Sequence, residues 1–134
     1  MIVAKIAGGL GNQMFQYATA KALAEQLKKE LYLDTHTFSQ VIPNVDSRTF
    51  ELDIFPNILP RFISQGQTNS FYHTIGLESR LRKLIGLPFR KVFTEKKHGY
   101  NEEINYISPP VLVDGYFQTE KYFEPYRDMI FNQF

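Results

Sequence analysis

Hydrophobic residues at the start of the chain are distributed as in a buried strand followed by a helix. Residues 2–7 are apolar except for Lys5, which is the pattern of a parallel strand covered on both faces. Across residues 13–29 the apolar positions recur at helical spacing, and the first turn is apolar around most of its circumference. Residues 30–35 have the pattern of a second strand. These segments predict a βαβ unit with a right-handed crossover.

The middle of the chain carries a weaker pattern. Residues 44–55 end at the prolines of the PNILP segment, and residues 66–70 are polar, so an irregular insertion is predicted there. Residues 70–85 have apolar positions at helical spacing and predict a helix that ends near Gly86. A short strand is predicted around residues 91–93.

The clearest late strand is VLVDGYF, at residues 111–117. Gln118 or Thr119 is the expected cap of the helix that follows, and Pro125 is expected to interrupt or restart that helix. At 134 residues the chain has the length of one domain. Strands that alternate with helices predict an α/β fold with a parallel sheet.

Composition limits the functions to consider. Hydrophobic residues make up 43% of the chain, which supports a packed core, and the net charge of +1 gives no field that would attract nucleic acid. The absence of cysteine excludes disulfides, thiolate metal sites and a cysteine nucleophile. No signal-peptide or membrane-span pattern is present, so we expect a soluble, cytoplasmic protein.

Lysine and arginine are concentrated in residues 80–97. This cluster predicts a solvated helix face and loop, and the alternative is peripheral contact with an anionic membrane surface or a charged glycan. No nucleic-acid recognition fold accompanies it.

A glycine-rich segment joins the first strand to the helix. Gly8, Gly9 and Gly11 are suited to present backbone N–H groups to a phosphate. The dinucleotide fingerprint fails because Met14 stands where it needs a small residue, and no Walker A sequence is present. Asp34 stands where a ribose-binding acid would, although an aspartate at a strand end also serves as a turn or helix cap.

Two groups of polar residues are candidate ligand-binding residues. Asn12 and Gln13 offer amide donors and acceptors to hydroxyls or phosphates, unless Asn12 only caps the helix and Gln13 is solvated. Asp114, Tyr116 and Gln118 lie at the C-terminal end of the last predicted strand, at the edge where open α/β sheets bind ligands. The alternative is that Tyr116 and its neighbour Phe117 pack under the next helix.

The stretch GGLGNQMFQYATAKALA resembles the opening of the α-1,2-fucosyltransferases, glycosyltransferase family 11. RTFELDIF and VDGYFQTEKYF agree with that resemblance, which extends over nearly the whole chain. It implies the Rossmann-like first half of a two-domain GT-B enzyme. It also implies inverting transfer of L-fucose from GDP-fucose to the 2-hydroxyl of a galactoside, with no metal or other cofactor.

The family's donor-binding motif, His-x-Arg-x-Gly-Asp-Tyr, does not occur in the sequence. We therefore expect an N-terminal portion, with residues 1–134 as one domain, the donor-binding domain absent and little transferase activity. No catalytic residue is assigned. The glycine segment, the amide pair and the residues after the last strand are expected to contact donor or acceptor.

Two other functions stay open at this stage. A noncatalytic carbohydrate-binding or assembly fragment would also lack the donor motif, and a nicotinamide-dependent oxidoreductase is opposed by Met14. Truncation would also expose aromatic residues to self-association, namely Phe131, Phe134 and those of the helix near Tyr122.

Overall fold

The chain folds around a four-stranded parallel sheet. The computed structural model describes residues 1–39, 47–72, 80–81, 84–86, 90–96 and 99–134. The sheet has the order β2-β1-β4-β3, and all three neighbouring pairs are parallel. Its strands are β1 (Ile2–Lys5), β2 (Leu31–Asp34), β3 (Lys91–Thr94) and β4 (Val111–Asp114). The predicted α/β fold is confirmed, and the sheet is consistent with a Rossmann-like half.

Helices cover both faces of the sheet, which explains the nearly continuous apolar strands. Helix α1 (Leu10–Leu27) packs on the face that carries Ile2 and Ala4. Helix α2 (Gln65–Tyr72) packs through Phe71 on the face that carries Val3 and Leu112. Successive strand residues therefore enter opposite halves of the core.

Helix α1 begins three residues earlier than predicted. Its N-cap is Gly9, so Gly11 lies in the first helical turn instead of a loop. The helix ends at Lys28, which adopts the left-handed conformation at φ 52° and donates its N–H to the carbonyls of Ala24 and Glu25. The prediction of a first turn buried on several sides is confirmed, since Gln13 is 0% exposed.

Helix α2 occupies the segment that was expected to be irregular. Ser64 starts it with a capping box: its Oγ accepts from the Gln67 N–H at 3.4 Å, and its own N–H donates to Gln67 Oε1 at 3.2 Å. Of the helix predicted over residues 70–85, residues 73–79 and 82–83 lie outside the described residues. Residues 70–72, which end α2, and residues 80, 81 and 84 are helical.

The strand predicted over residues 111–117 ends at Asp114, and two 3-10 turns and a short helix replace the helix predicted after it. The Thr119 side chain accepts from the Lys121 N–H and starts a 3-10 turn, and Pro125 lies in a second 3-10 turn before helix α3 (Arg127–Phe131). The chain end then folds back, because the ring of Phe134 lies 6.0 Å from that of Tyr17.

The structure bears on the aromatic patch, the basic cluster and the absence of a membrane span that the sequence predicted. Phe131 is 59% exposed, but Tyr122 is buried and Phe134 is partly covered, so the exposed aromatic patch is smaller than predicted. In the basic cluster, Arg90 lies over the Phe71 ring at 5.3 Å, whereas residues 82–83 and 97 are not described. Within the described residues, no helix has the length and apolar character needed to cross a bilayer.

Leu112 and Leu59 provide a matched test of this core. Leu112 is 0% exposed on the face of the sheet that α2 covers, and Leu59 is 86% exposed. We expect Leu112→Ala to lower the free energy of unfolding by about 2–5 kcal/mol. Leu59→Ala should change it by less than about 0.5 kcal/mol. Denaturant unfolding measures both values, and equal losses would contradict the described packing.

Candidate functional site

The carboxyl ends of the strands gather charged side chains at one edge of the sheet. Lys5 ends β1 and Asp114 ends β4, and Lys5 Nζ lies 2.9 Å from Asp114 Oδ2 with both side chains partly exposed. The Tyr72 hydroxyl donates to the same carboxylate at 3.4 Å. Open parallel sheets bind ligands at this edge.

The ionisation of this cluster is set by burial and by Asp114. Burial lowers the pKa of Lys5, but the hydrogen bond and charge of Asp114 outweigh it, so the pKa lies above its usual range. Burial and then the charge of Asp114 raise the pKa of Tyr72. At neutral pH the edge therefore carries an ammonium and a protonated phenol.

Gly8 permits the close approach of the glycine segment to α1. It has φ +79°, and a Cβ at this position would lie 2.7 Å from Asn12 Nδ2. Arg48 lies alongside Gly9, with its Nη1 3.9 Å from where a Cβ would be, and it forms no ion pair with the described residues. Gly11 has open space above it. The first turn of α1 carries no acidic residue, so no carboxylate in that turn offsets the positive end of the helix dipole.

Two predicted site residues meet directly. Gln118 Nε2 donates to Asn12 Oδ1 at 2.7 Å, which links the start of α1 to the turn after β4. Asn12 makes no capping bond to the helix, since α1 has no side-chain cap. Asn12 is partly exposed and Gln118 is exposed, so this contact lies at the surface.

Gln13 lies on the inside of the same turn. Its Nε2 donates to the carbonyls of Gly8 at 2.9 Å and Thr49 at 2.8 Å, and its Oε1 accepts from the Glu51 N–H at 2.9 Å. The side chain is 0% exposed, so the solvated alternative is wrong. These bonds hold the glycine segment against residues 49–51.

Gln16 was missed as a site residue, although it repeats the role of Gln13 one turn later. Its Oε1 accepts from the Ala7 N–H at 3.0 Å, and its Nε2 donates to the Gly115 carbonyl at 3.1 Å. It is 3% exposed. A polar residue within an apolar helical turn was the available signal. Gln16 positions the turn after β4 relative to β1.

Glu95 organises the turn after β4. Its Oε2 accepts from the N–H groups of Tyr116 at 2.9 Å and Phe117 at 2.8 Å, and its Oε1 accepts from the Tyr122 hydroxyl at 3.1 Å. A Cβ on Gly115 would lie 2.4 Å from Glu95 Cβ. Phe117 enters the core at φ 52°, whereas Tyr116 is 46% exposed. Phe117 therefore packs in the core, as the alternative to ligand binding predicted, whereas Tyr116 is accessible.

Asp34 serves as a turn residue after β2. It is 4% exposed, and its Oδ1 accepts from the His36 N–H at 3.1 Å and lies 2.6 Å from His36 Nδ1. The turn-residue alternative therefore describes the contacts of Oδ1. A polar pocket of about 200 Å³ opens beside it, with Lys5 and Tyr72 also in its wall.

A second cavity, of about 290 Å³, lies away from this edge, beside the beginning of β2. Leu31, Leu59 and Pro60 form part of its wall together with the ion pair of Glu30 and Arg61. None of the predicted site residues borders it. Among the described residues, no three metal-ligating side chains come together.

Comparison with known proteins gives one informative similarity. No protein-family model matches the chain, and no solved structure matches it. The chain is 29% identical over 145 aligned positions to an alpha-1,2-colitosyltransferase of Escherichia coli. The alignment takes in 97% of this chain and 43% of that protein, so the chain spans less than half of its relative. The relative's name describes a glycosyltransferase.

The buried glutamines should be more important for stability than the exposed one. Gln13→Leu leaves backbone groups of Thr49 and Glu51 unpaired, and each such group costs about 1–3 kcal/mol. Gln118→Leu loses one exposed bond and should cost less than about 1 kcal/mol. Denaturant unfolding of both variants tests this. A Gln13→Leu protein as stable as Gln118→Leu would refute the positioning role.

Stability should also depend on pH in the alkaline range. Burial and the charge of Glu95 raise the pKa of Tyr122 to about 12, although the Asn101 N–H opposes them. Burial and the charge of Glu25 raise the pKa of Tyr17 to about 12. Because an unfolded tyrosine has a pKa of about 10, this stabilisation is complete below about pH 10 and is lost as the pH rises through the folded value.

We therefore expect the free energy of unfolding to fall above about pH 10, and to fall less steeply in Tyr122→Phe. Tyr106→Phe is the control, because Tyr106 is 83% exposed. Denaturant unfolding at a series of pH values measures these slopes. Equal slopes for Tyr122→Phe and the unaltered protein would contradict the described environment of this phenol.

Proposed function

We propose that this chain forms one wall of the cleft of an α-1,2-fucosyltransferase. The reaction would transfer L-fucose from GDP-fucose to the 2-hydroxyl of a galactoside with inversion. The observation that carries the proposal is the 2.7 Å bond between Asn12 and Gln118, which joins two segments of the family resemblance at the ligand-binding edge. The alpha-1,2-colitosyltransferase relative supports sugar transfer of the same linkage.

The accessible side chains at this edge suit a sugar. Asn12 and Gln118 offer amide groups to hydroxyls, and the half-exposed ring of Tyr116 offers an apolar face. The side-chain amides of Gln13 and Gln16 bond to backbone groups, so these residues fix the positions of the segments around the site. Gly8, Gly9 and Gly11 contribute backbone shape at the same place.

The electropositive start of α1 and the exposed guanidinium of Arg48 favour an anionic donor. They lie on one side of the edge only. A departing diphosphate needs charge stabilisation and positioning from more than one side. We therefore expect residues 1–134 alone to show little or no transfer.

Two alternative functions can be compared with the residues at this edge of the sheet. A noncatalytic carbohydrate-binding role would use these residues for binding and would lack transfer. An oxidoreductase that binds a nicotinamide nucleotide is disfavoured, because the Asp34 carboxylate is buried against His36 and Met14 occupies the fingerprint position.

Transfer assays on the complete gene product test the proposal. GDP-fucose and GDP-colitose are offered separately with methyl β-D-galactopyranoside, and products are identified by mass spectrometry. Colitose lacks the 3-hydroxyl of fucose, so a site that hydrogen-bonds this hydroxyl rejects it. We expect fucosyl product. If only the colitosyl product forms, fucosyl transfer is contradicted and the glycosyltransferase role is kept. If neither donor gives a product, fucosyl transfer and the glycosyltransferase role are both contradicted.

Asn12→Ala in the complete gene product should reduce kcat/KM by about tenfold, the equivalent of one lost hydrogen bond. The matched control is Asn105→Ala, because Asn105 is exposed and, among the described residues, its side chain bonds only to the Tyr100 hydroxyl. Its kinetics should be unchanged. An Asn12→Ala enzyme with unaltered kcat/KM would remove Asn12 from the site.

A further inference from the structure

The turn after β4 contains a residue in a backbone conformation that side chains rarely adopt. Phe117 has φ 52°, in the left-handed region, and it stands between Tyr116 and Gln118, which are both exposed. A bulky residue persists in this region only where the surrounding structure holds it there, and such residues cluster at functional sites. The backbone of Phe117 sets the directions in which its two exposed neighbours leave the turn.

Two kinds of contact hold Phe117 in this conformation. Its ring is buried and packs against the rings of Phe93, at 6.5 Å, and Tyr122, at 5.2 Å. Its N–H and that of Tyr116 donate to the same oxygen of Glu95, Oε2, at 2.8 and 2.9 Å. Hydrogen bonds from backbone N–H groups to a carboxylate are charge-assisted and stronger than those between neutral groups. Packing therefore fixes the ring of Phe117, and Glu95 fixes its backbone.

Glu95 is itself placed by the sheet. Its backbone N–H donates to the Asp114 carbonyl at 2.9 Å, which continues the pairing of β3 with β4 by one residue. Its second carboxylate oxygen, Oε1, accepts from the Tyr122 hydroxyl at 3.1 Å. The side chain also lies so close to Gly115 that a Cβ there would clash with it. Glu95 therefore transmits the position of the sheet to the turn.

We propose that Glu95 is a positioning residue for sugar transfer, which holds the turn after β4 so that Tyr116 and Gln118 face the sugar. This inference rests on the proposed function. Glu95 acts through the turn and not on the reacting atoms, because both of its carboxylate oxygens accept hydrogen bonds from this chain. The 2.7 Å bond from Gln118 to Asn12 depends on the same turn, since the backbone of the turn directs the Gln118 side chain.

Amide hydrogen exchange tests the backbone contacts of Glu95 without any transfer reaction. In the complete gene product, followed by ¹H–¹⁵N NMR, Glu95→Ala should speed exchange at the amides of Tyr116 and Phe117 about tenfold, the equivalent of one hydrogen bond. The matched control is Glu120→Ala, which removes an exposed carboxylate two residues after Gln118 and should leave both rates unchanged. Equal rates in Glu95→Ala and the unaltered protein would overturn the proposal.

Transfer kinetics in a double-mutant cycle test the positioning role. Glu95→Ala should lower kcat/KM about tenfold in the unaltered background. In a background that carries Tyr116→Ala and Gln118→Ala, the same change should lower it by less than about threefold, because the side chains that Glu95 positions are then absent. A merely structural role would give the same factor in both backgrounds, and that result would overturn the proposal.

Glu95→Gln extends both tests to the case in which Glu95→Ala does not fold. Its carbonyl oxygen still accepts N–H groups but lacks the charge, so exchange at Tyr116 and Phe117 should be about threefold faster and kcat/KM about threefold lower. Values equal to those of the unaltered protein would count against the proposal. Absence of transfer by the unaltered protein would contradict the proposed function, whereas the exchange rates would still decide whether Glu95 holds the turn. The two failures are therefore distinguishable.

Discussion

The geometry of the candidate site depends on two buried amides at the start of α1. Gln13 and Gln16 lie one turn apart and bond to backbone groups of three segments that are distant in sequence. Uncharged side chains are well suited to this position, because they can satisfy donors and acceptors in a dry interior without the cost of burying a charge. Their bonds fix the distance between the glycine segment and the turn after β4.

The edge of the sheet is divided by the ion pair of Lys5 and Asp114. Asn12, Tyr116 and Gln118 lie on the side of α1 and β4, whereas His36 and Thr68 lie on the side of β2 and α2. In our proposal the first group contacts the sugar. The pair itself keeps opposite charges at the junction, where the raised pKa of Lys5 keeps the ammonium charged.

Local patterns in the sequence predicted the strands, α1, the Thr119 cap and the effect of Pro125, because each depends on residues close together in the chain. Helix α2 was predicted only from residue 70 onward, because residues 65–69 are all polar or glycine and carry no apolar periodicity. Asn12 and Gln118 were identified as candidates, but not their contact. The roles of Gln16 and Glu95 depend on partners 99 and 22 residues away, which periodicity does not reveal.

Hydrogen–deuterium exchange with mass spectrometry tests the central claim that this edge is the ligand site. The complete gene product is compared with and without GDP-fucose and methyl β-D-galactopyranoside. We predict slower exchange in peptides covering residues 8–12, 34–37 and 114–118. Slower exchange confined to residues 59–61, beside the larger cavity at the beginning of β2, would contradict it.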